Sequence, residues 1–248
     1  MPQPIALYYW PTPNGWKISI ALEEMGLPYE VRLVNINKGE QFKPDYLALN
    51  PNNRMPTIID PDGPDGAPLP IFESGAILQY LARKSGRFYG SDEPARVAID
   101  QWLFWQAAHY GPTSGQVAHF KSHAKKLGGD AASTDYAVAR FWKELDRLWG
   151  VMERQLGAHD FIAGPDYSIA DMMLWPWLVG AHGRGEIKDF PRILEWFERV
   201  GARPAVQRGK LLHDELRNPP VTAKESAQHD AVLYGQTARS VADAASKT

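Results

Sequence analysis

What most constrains this chain is a change of pattern near residue 86. Before it, short apolar runs alternate with helical ones; after it, only long helical spacing remains. Residues 5–10 (Ile-Ala-Leu-Tyr-Tyr-Trp) read as a strand closed by Pro11. Thr12 suits the N-cap of a helix and Pro13 its first position, and Ile18, Ala21, Leu22 and Met25 recur at helical spacing up to Gly26. Residues 29–35 alternate as a second strand, 44–49 suit a short helix, and 56–60 form a third strand with Pro56 at its first position. Residues 69–72 are a fourth strand that runs straight into a helix, where Ile77, Tyr80 and Leu81 share a face and Gly86 supplies the stop. The order β-α-β-α-β-β-α implies a parallel pair from the early βαβ unit and a hairpin from the later close-set strands.

Beyond the boundary at 86–93 the chain reads as all-helical. Residues 96–110 carry Trp102, Leu103, Phe104 and Trp105 on a helix, and 111–134 read as a glycine-rich turn and a polar stretch. Val138, Trp142, Leu145, Trp149, Met152 and Leu156 alternate steps of four and three, a single core-facing stripe. Ser168 with Asp171 makes a capping box ahead of Met172-Met173-Leu174-Trp175. Further helices are expected at 193–200 and 204–212, and residues 218–248 read as a mobile tail or surface arm. The domains expected are therefore 1–86 and 93–217, followed by that tail.

Composition removes several classes of chemistry. Cysteine is absent from all 248 residues, which excludes disulfides, thiolate metal sites and any protein-borne sulfur nucleophile. With 27 basic against 29 acidic side chains, neither nucleic acid nor an anionic membrane is expected as a partner. His119 and His123 lie four apart without a third ligand, so no metal site is expected. The start, Met1-Pro2-Gln3-Pro4, has no basic segment followed by an apolar run, and the apolar segment 169–181 is broken by Asp171 and Pro176; a cytoplasmic address is the expectation.

Two places carry candidate chemistry. The helix behind the fourth strand starts on Glu73 and Ser74. Its unpaired N–H groups attract a carboxylate, and Glu73 offers a partner for an ammonium, so the pair suits an α-amino-acid head group; it equally suits an ordinary capped helix start. The helix opening at Thr12 presents the N–H groups of residues 14 and 15, which favour an anion such as a thiolate.

Together the motifs resemble those of cytosolic glutathione transferases, over about residues 4–215. Phe72-Glu73-Ser74-Gly75-Ala76-Ile77 is similar to the family's γ-glutamyl site, Asn53-Arg54-Met55-Pro56 to its cis-proline turn, and Ser168-Ile169-Ala170-Asp171 to the cap inside its helical domain. Pro11-Thr12-Pro13-Asn14-Gly15, Lys38-Gly39-Glu40-Gln41-Phe42 and Trp102-Leu103-Phe104-Trp105-Gln106 most resemble the bacterial nu class, glutathione-dependent disulfide-bond oxidoreductases that lack an essential cysteine. They also resemble a yeast nitrogen regulator of the same fold. The resemblance implies a thioredoxin-like N-terminal domain, an all-α C-terminal domain and a homodimer. It implies glutathione as co-substrate, as one or two molecules or as the oxidised form per subunit, with a small disulfide or an electrophile as its reaction partner.

By the same resemblance Thr12 and Asn14 contact the sulfur, and the backbone of Met55 before Pro56 pairs with the cysteinyl part. Gln41 matches a glycyl-end contact, Asn53 in the cis-proline turn is a glutathione-binding residue, Glu73 and Ser74 take the γ-glutamyl end, and Arg140 faces a carboxylate of a second glutathione. The structural alternatives stay open: Thr12 is a good N-cap, Gln41 suits an exposed loop, and Arg140 lies opposite the core stripe of its helix. Tyr8 and Tyr9 are read as core and interface residues. Disulfide reduction is the activity expected, with conjugation to electrophiles and a glutathione-binding regulatory role as the alternatives.

Overall fold

The structure is a computed structural model that describes residues 3–217 and 222–239. Two compact units divide the chain: the residues up to 81 together with those from 208 onward, and Ala82–Gln207.

The first unit is built on four strands, β1 (Ile5–Tyr9), β2 (Tyr29–Leu33), β3 (Thr57–Asp60) and β4 (Leu69–Phe72), in the order β2-β1-β3-β4. β1 pairs parallel with β2 and antiparallel with β3, and β3 pairs antiparallel with β4, as the βαβ unit and the hairpin require. Ile5, Leu7 and Tyr9 alternate into the core. Helix α1 (Pro13–Met25) is capped by Thr12 and ended by Gly26 in the left-handed region, φ 66°. Gly15 is required in its first turn, because a Cβ there would meet the Trp10 carbonyl oxygen at 2.2 Å. α1 is buried nearly all round, including Trp16, Ile18, Ile20 and Leu22. Two 3-10 turns (Ile36–Lys38 and Glu40–Phe42) lead to α2 (Pro44–Leu49). Helix α3 (Ser74–Ser85) follows β4 with only Glu73 between them.

The second unit is helical: α4 (Glu93–Trp105), a π-type turn (Gln106–Tyr110), α5 (Gly111–Ser122), α6 (Ala131–Leu156), α7 (Ile169–Gly183) and α8 (Pro191–Gly201). In α6 the stripe is buried from Leu145 through Leu148, Trp149 and Met152 to Leu156. Burying each such side chain is worth roughly 1.5–3 kcal/mol. The Ser168–Asp171 capping box forms as read from the sequence. Asp171 is wholly buried and accepts from the N–H groups of Ile162 (3.0 Å) and Ser168 (2.9 Å) and from Trp196 Nε1 (2.8 Å), tying the start of α7 to α8. Helix α9 (Pro204–Leu211) follows.

Two expectations are corrected. Residues 111–122, read as part of a turn and polar stretch, are helical: the π-type turn lets the chain continue from α4 into α5, with Pro112 in the first turn, where no N–H is needed. The stretch read as a tail contains α10 (Ala223–Tyr234), opened by a Thr222–Glu225 capping box and lying against the turn at Ile36–Lys38; Asp230 on it is buried. The tail's residues 218–221 and 240–248 lie outside the described residues.

Candidate functional site: two helix N-termini and a cis-proline turn

Three features of the first unit come together around the residues singled out above. At the start of α1 the Thr12 hydroxyl accepts from Gly15 N–H at 3.3 Å and donates to the thioether of Met55 at 3.8 Å. A thioether is a weak acceptor, so a ligand thiolate competes well for that proton while the cap stays in place. Asn14 sits at the second position of α1, half-buried, beside the same N-terminus. The Met55–Pro56 bond is cis. Its turn is held from below by a polar cluster: the Arg54 carbonyl accepts from the Tyr46 hydroxyl (2.8 Å) and from Asn50, and both side chains also reach Thr57 Oγ1 at 2.9 Å. Asn50 and Thr57 are buried, so these bonds fix the turn rigidly.

The start of α3 is the third feature. Glu73 adopts φ 66°, the left-handed region, and its carbonyl accepts from Ile77 N–H at 2.9 Å. A non-glycine residue held there stores strain of order 1–3 kcal/mol, which is why such residues gather at binding sites. The exposed Glu73 carboxylate accepts from Asn52 Nδ2 at 3.1 Å. Beneath it, Lys17 of α1, 2% exposed, places its ammonium 3.4 Å from Ser74 Oγ. Burial lowers the Lys17 pKa from 10.5 to about 7, and the nearby Glu73 carboxylate works the other way.

Residues 3–83 match the glutathione S-transferase N-terminal domain, and residues 135–199 match the glutathione S-transferase C-terminal domain. The disulfide-bond oxidoreductase YfcG of Escherichia coli is 41% identical over 209 residues, spanning 84% of this chain and 94% of that protein. This chain belongs to the glutathione S-transferase family. Disulfide-bond oxidoreductase YghU of the same organism is 36% identical, over 92% of this chain and 81% of its own. Among solved structures, a glutathione transferase from Burkholderia graminis superposes with a TM-score of 0.79 at 44% identity, covering 85% of this chain and 89% of that one. It was solved with two glutathione molecules per subunit. One from Pseudomonas putida (TM-score 0.78, 40% identity, 85% and 92% covered) holds one glutathione disulfide per subunit.

Within this glutathione transferase the remaining predicted residues fall as follows. Gln41 is buried; its side-chain amide donates to the Ile36 carbonyl at 3.3 Å, so it turns inward under its own loop. Asn53 takes the left-handed position of the turn (φ 47°), which asparagine tolerates, while Asn52 is the asparagine that reaches Glu73. Arg140 is on the exposed face of α6, in the second unit, one turn beyond the exposed Tyr136. Tyr9 is fully buried and donates to the Leu212 carbonyl at 2.9 Å, a core role; Tyr8 packs against Tyr46 with ring centroids 5.9 Å apart. Among the described residues no group of three or more acidic or histidine side chains is placed to hold a metal, and no helix is long and apolar enough to cross a membrane. Three contributors escaped the sequence reading: Lys17, Asn52 and the Tyr46–Asn50–Thr57 support.

Proposed function

We propose that this glutathione transferase reduces disulfide bonds with glutathione as the thiol source. The observation that carries the reading is the start of α1: a hydroxyl resting on the thioether of the cis-proline turn, in a chain with no cysteine. Sulfur chemistry at that point needs a ligand's sulfur, and the N–H groups and dipole of α1 favour its thiolate. Thr12 and Asn14 donate to the sulfur, the Met55 backbone before Pro56 pairs with the cysteinyl part, and Glu73 and Ser74 take the γ-glutamyl ammonium and carboxylate. Residues 1–86 form the glutathione-binding domain, completed by the residues from 208 onward that pack on it, and the helical domain begins at 93. Arg140 serves a second glutathione. Asn53 shapes the turn, and Gln41 holds the loop that borders the glycyl end.

The reaction is two successive exchanges. The bound thiolate attacks one sulfur of a small disulfide, forming a mixed disulfide and releasing one substrate thiolate. A second glutathione thiolate attacks the glutathione sulfur of the mixed disulfide, releasing oxidised glutathione and the second substrate thiolate. Each released thiolate takes up a proton given up by a glutathione thiol. The names of YfcG and YghU support this reading, as does the glutathione disulfide bound by the Pseudomonas putida relative.

The working form is a cytoplasmic homodimer. Val97 and Phe104, seven residues apart on α4, are 46% and 70% exposed, an apolar stripe that a second copy would cover. The decisive experiment is turnover of hydroxyethyl disulfide with glutathione and a coupled reductase: a rate well above background is expected, and none would refute the reading. Conjugation of electrophiles uses the same thiolate, and glutathione S-transferase 1 of Schizosaccharomyces pombe, 36% identical, favours it as the second reading. A panel of halogenated aromatics ranks the two by relative rate.

A further inference from the structure

With no cysteine, the chain carries sulfur only in its methionines. Five of the six lie among the described residues, and four of those, Met25, Met152, Met172 and Met173, are buried. The fifth, Met55, is half-exposed, and its thioether lies beside the start of α1, 3.8 Å from the Thr12 hydroxyl.

The hydrogen bond between them has one direction. A thioether carries no proton, so Thr12 donates and the sulfur accepts, while the Thr12 oxygen takes the Gly15 N–H at 3.3 Å. Thr12 therefore has a single proton to give, and the acceptor that holds it is a weak one. The role proposed above for residue 55 toward glutathione runs through its backbone, so another apolar side chain would serve there. What the sulfur adds is chemistry: peroxides oxidise a thioether and leave a leucine side chain untouched.

The step is a two-electron oxygen transfer. A lone pair of the Met55 sulfur attacks one oxygen of hydrogen peroxide and the O–O bond breaks. The attacked oxygen stays on sulfur as the sulfoxide and passes its proton to the other, which leaves as water. Sulfur is oxidised and the peroxide reduced. The product reverses the competition for the Thr12 proton, because a sulfoxide oxygen is a far stronger acceptor than a thioether. The unbranched side chain turns on its own bonds to present that oxygen at the ordinary O–H···O length of about 2.8 Å. A hydroxyl committed in this way no longer donates to a ligand's sulfur.

We propose that Met55 is a peroxide-sensitive modification site, whose sulfoxide withdraws the Thr12 hydroxyl from glutathione and reversibly slows the enzyme. This rests on the reading of the start of α1 as the site of the glutathione sulfur. Reversal belongs to the methionine sulfoxide reductases, one enzyme for each sulfoxide epimer.

The full chain is treated with graded hydrogen peroxide, cleared of it with catalase, and divided between peptide mapping and turnover of hydroxyethyl disulfide. Trypsin frees residues 55–83, in which Met55 is the only methionine, so its oxidation is read by itself. Met55 is expected to oxidise about tenfold or more faster than the four buried methionines, and turnover to fall about tenfold in step with it. Both sulfoxide reductases together with dithiothreitol should restore the mass and the rate. Met55→Leu given the same dose should keep its own starting rate. A rate that holds while residue 55 is fully oxidised overturns the proposal, as does an equal fractional loss in Met55→Leu.

The ultraviolet absorbance of the bound thiolate separates this effect from general damage. Oxidation should move the titration of bound glutathione up by about one pH unit, because its thiolate loses a donor; an unmoved midpoint overturns the proposal. Untreated protein that neither turns over the disulfide nor shows a bound thiolate fails the glutathione reading itself.

Discussion

Replacing Lys17 by methionine should make the protein more stable. The unfolded lysine titrates near 10.5 and the folded one at about 7, so at any pH between them the unfolded state holds more protons. Stability therefore rises with pH across this window: the penalty is fully present below pH 7 and is gone above 10.5. At about 1.4 kcal/mol per pKa unit, the charged lysine costs the folded state about 4 kcal/mol at pH 7 and about 2 kcal/mol at pH 9. Methionine has similar length, no charge and no hydrogen-bonding requirement; it forfeits the hydrogen bonding of the ammonium, the 3.4 Å contact with Ser74 included, about 1 kcal/mol. The net gain is about 3 kcal/mol at pH 7 and about 1 kcal/mol at pH 9. For a chain of this size that corresponds to a melting temperature raised by roughly 5–10 °C at pH 7. Thermal melts of both proteins at pH 7 and pH 9 provide the assay. A difference that fails to narrow at pH 9 would refute the buried-charge account, as would a variant that melts below the unaltered protein at both.

Asn14→Ala should slow disulfide turnover by about tenfold while moving the melting temperature by no more than about 2 °C, because the role proposed for it is at the ligand's sulfur and not in the cap. An unchanged rate would remove it from that sulfur. Thr12→Ala should lose turnover and also about 1 kcal/mol of stability, since its oxygen caps α1. Glu73→Gly should raise the melting temperature by relieving the left-handed backbone at φ 66°, worth about 1 kcal/mol, yet raise KM for glutathione; an unaltered KM would contradict the ammonium contact. Asp171→Ala strands three buried N–H donors and should destabilise the helical unit by about 3–5 kcal/mol; a melt within about 2 °C of the unaltered protein would show that the donors find other partners.

Features written in local chemistry were legible from the sequence. Thr12 and Pro13 announce α1, Gly26 ends it, Ser168 and Asp171 open α7, and strand spacing fixed both the parallel pair and the hairpin. Features that depend on tertiary placement were not. Lys17 looks like any helix lysine until the neighbours of α1 bury it on every side. Whether Asn52 or Asn53 faces Glu73 is decided by the turn's left-handed residue, which composition does not locate. Gln41 reads as a polar loop amide, yet two consecutive 3-10 turns fold it inward. α10 did carry a signal, Thr222 three residues before Glu225, but its alanine-rich sequence lacks a strong apolar face and hid the helix.

The first unit is assembled from two stretches far apart in the sequence, the residues up to 81 and those from 208 onward. Ser19 Oγ donates to the Gly209 carbonyl at 2.6 Å, Arg208 pairs with Glu23 at 2.6 Å, the Arg217 guanidinium covers the Trp16 ring at 4.5 Å, and Gly209 packs on Ile20 so closely that a Cβ would lie 2.6 Å from its backbone. On the ribosome, therefore, the opening eighty residues emerge early but wait for some 130 more before their outer layer arrives. A nascent chain paused between the two would expose the flank of α1 to chaperones. The unit that carries the candidate site is begun before the helical one and completed only after it.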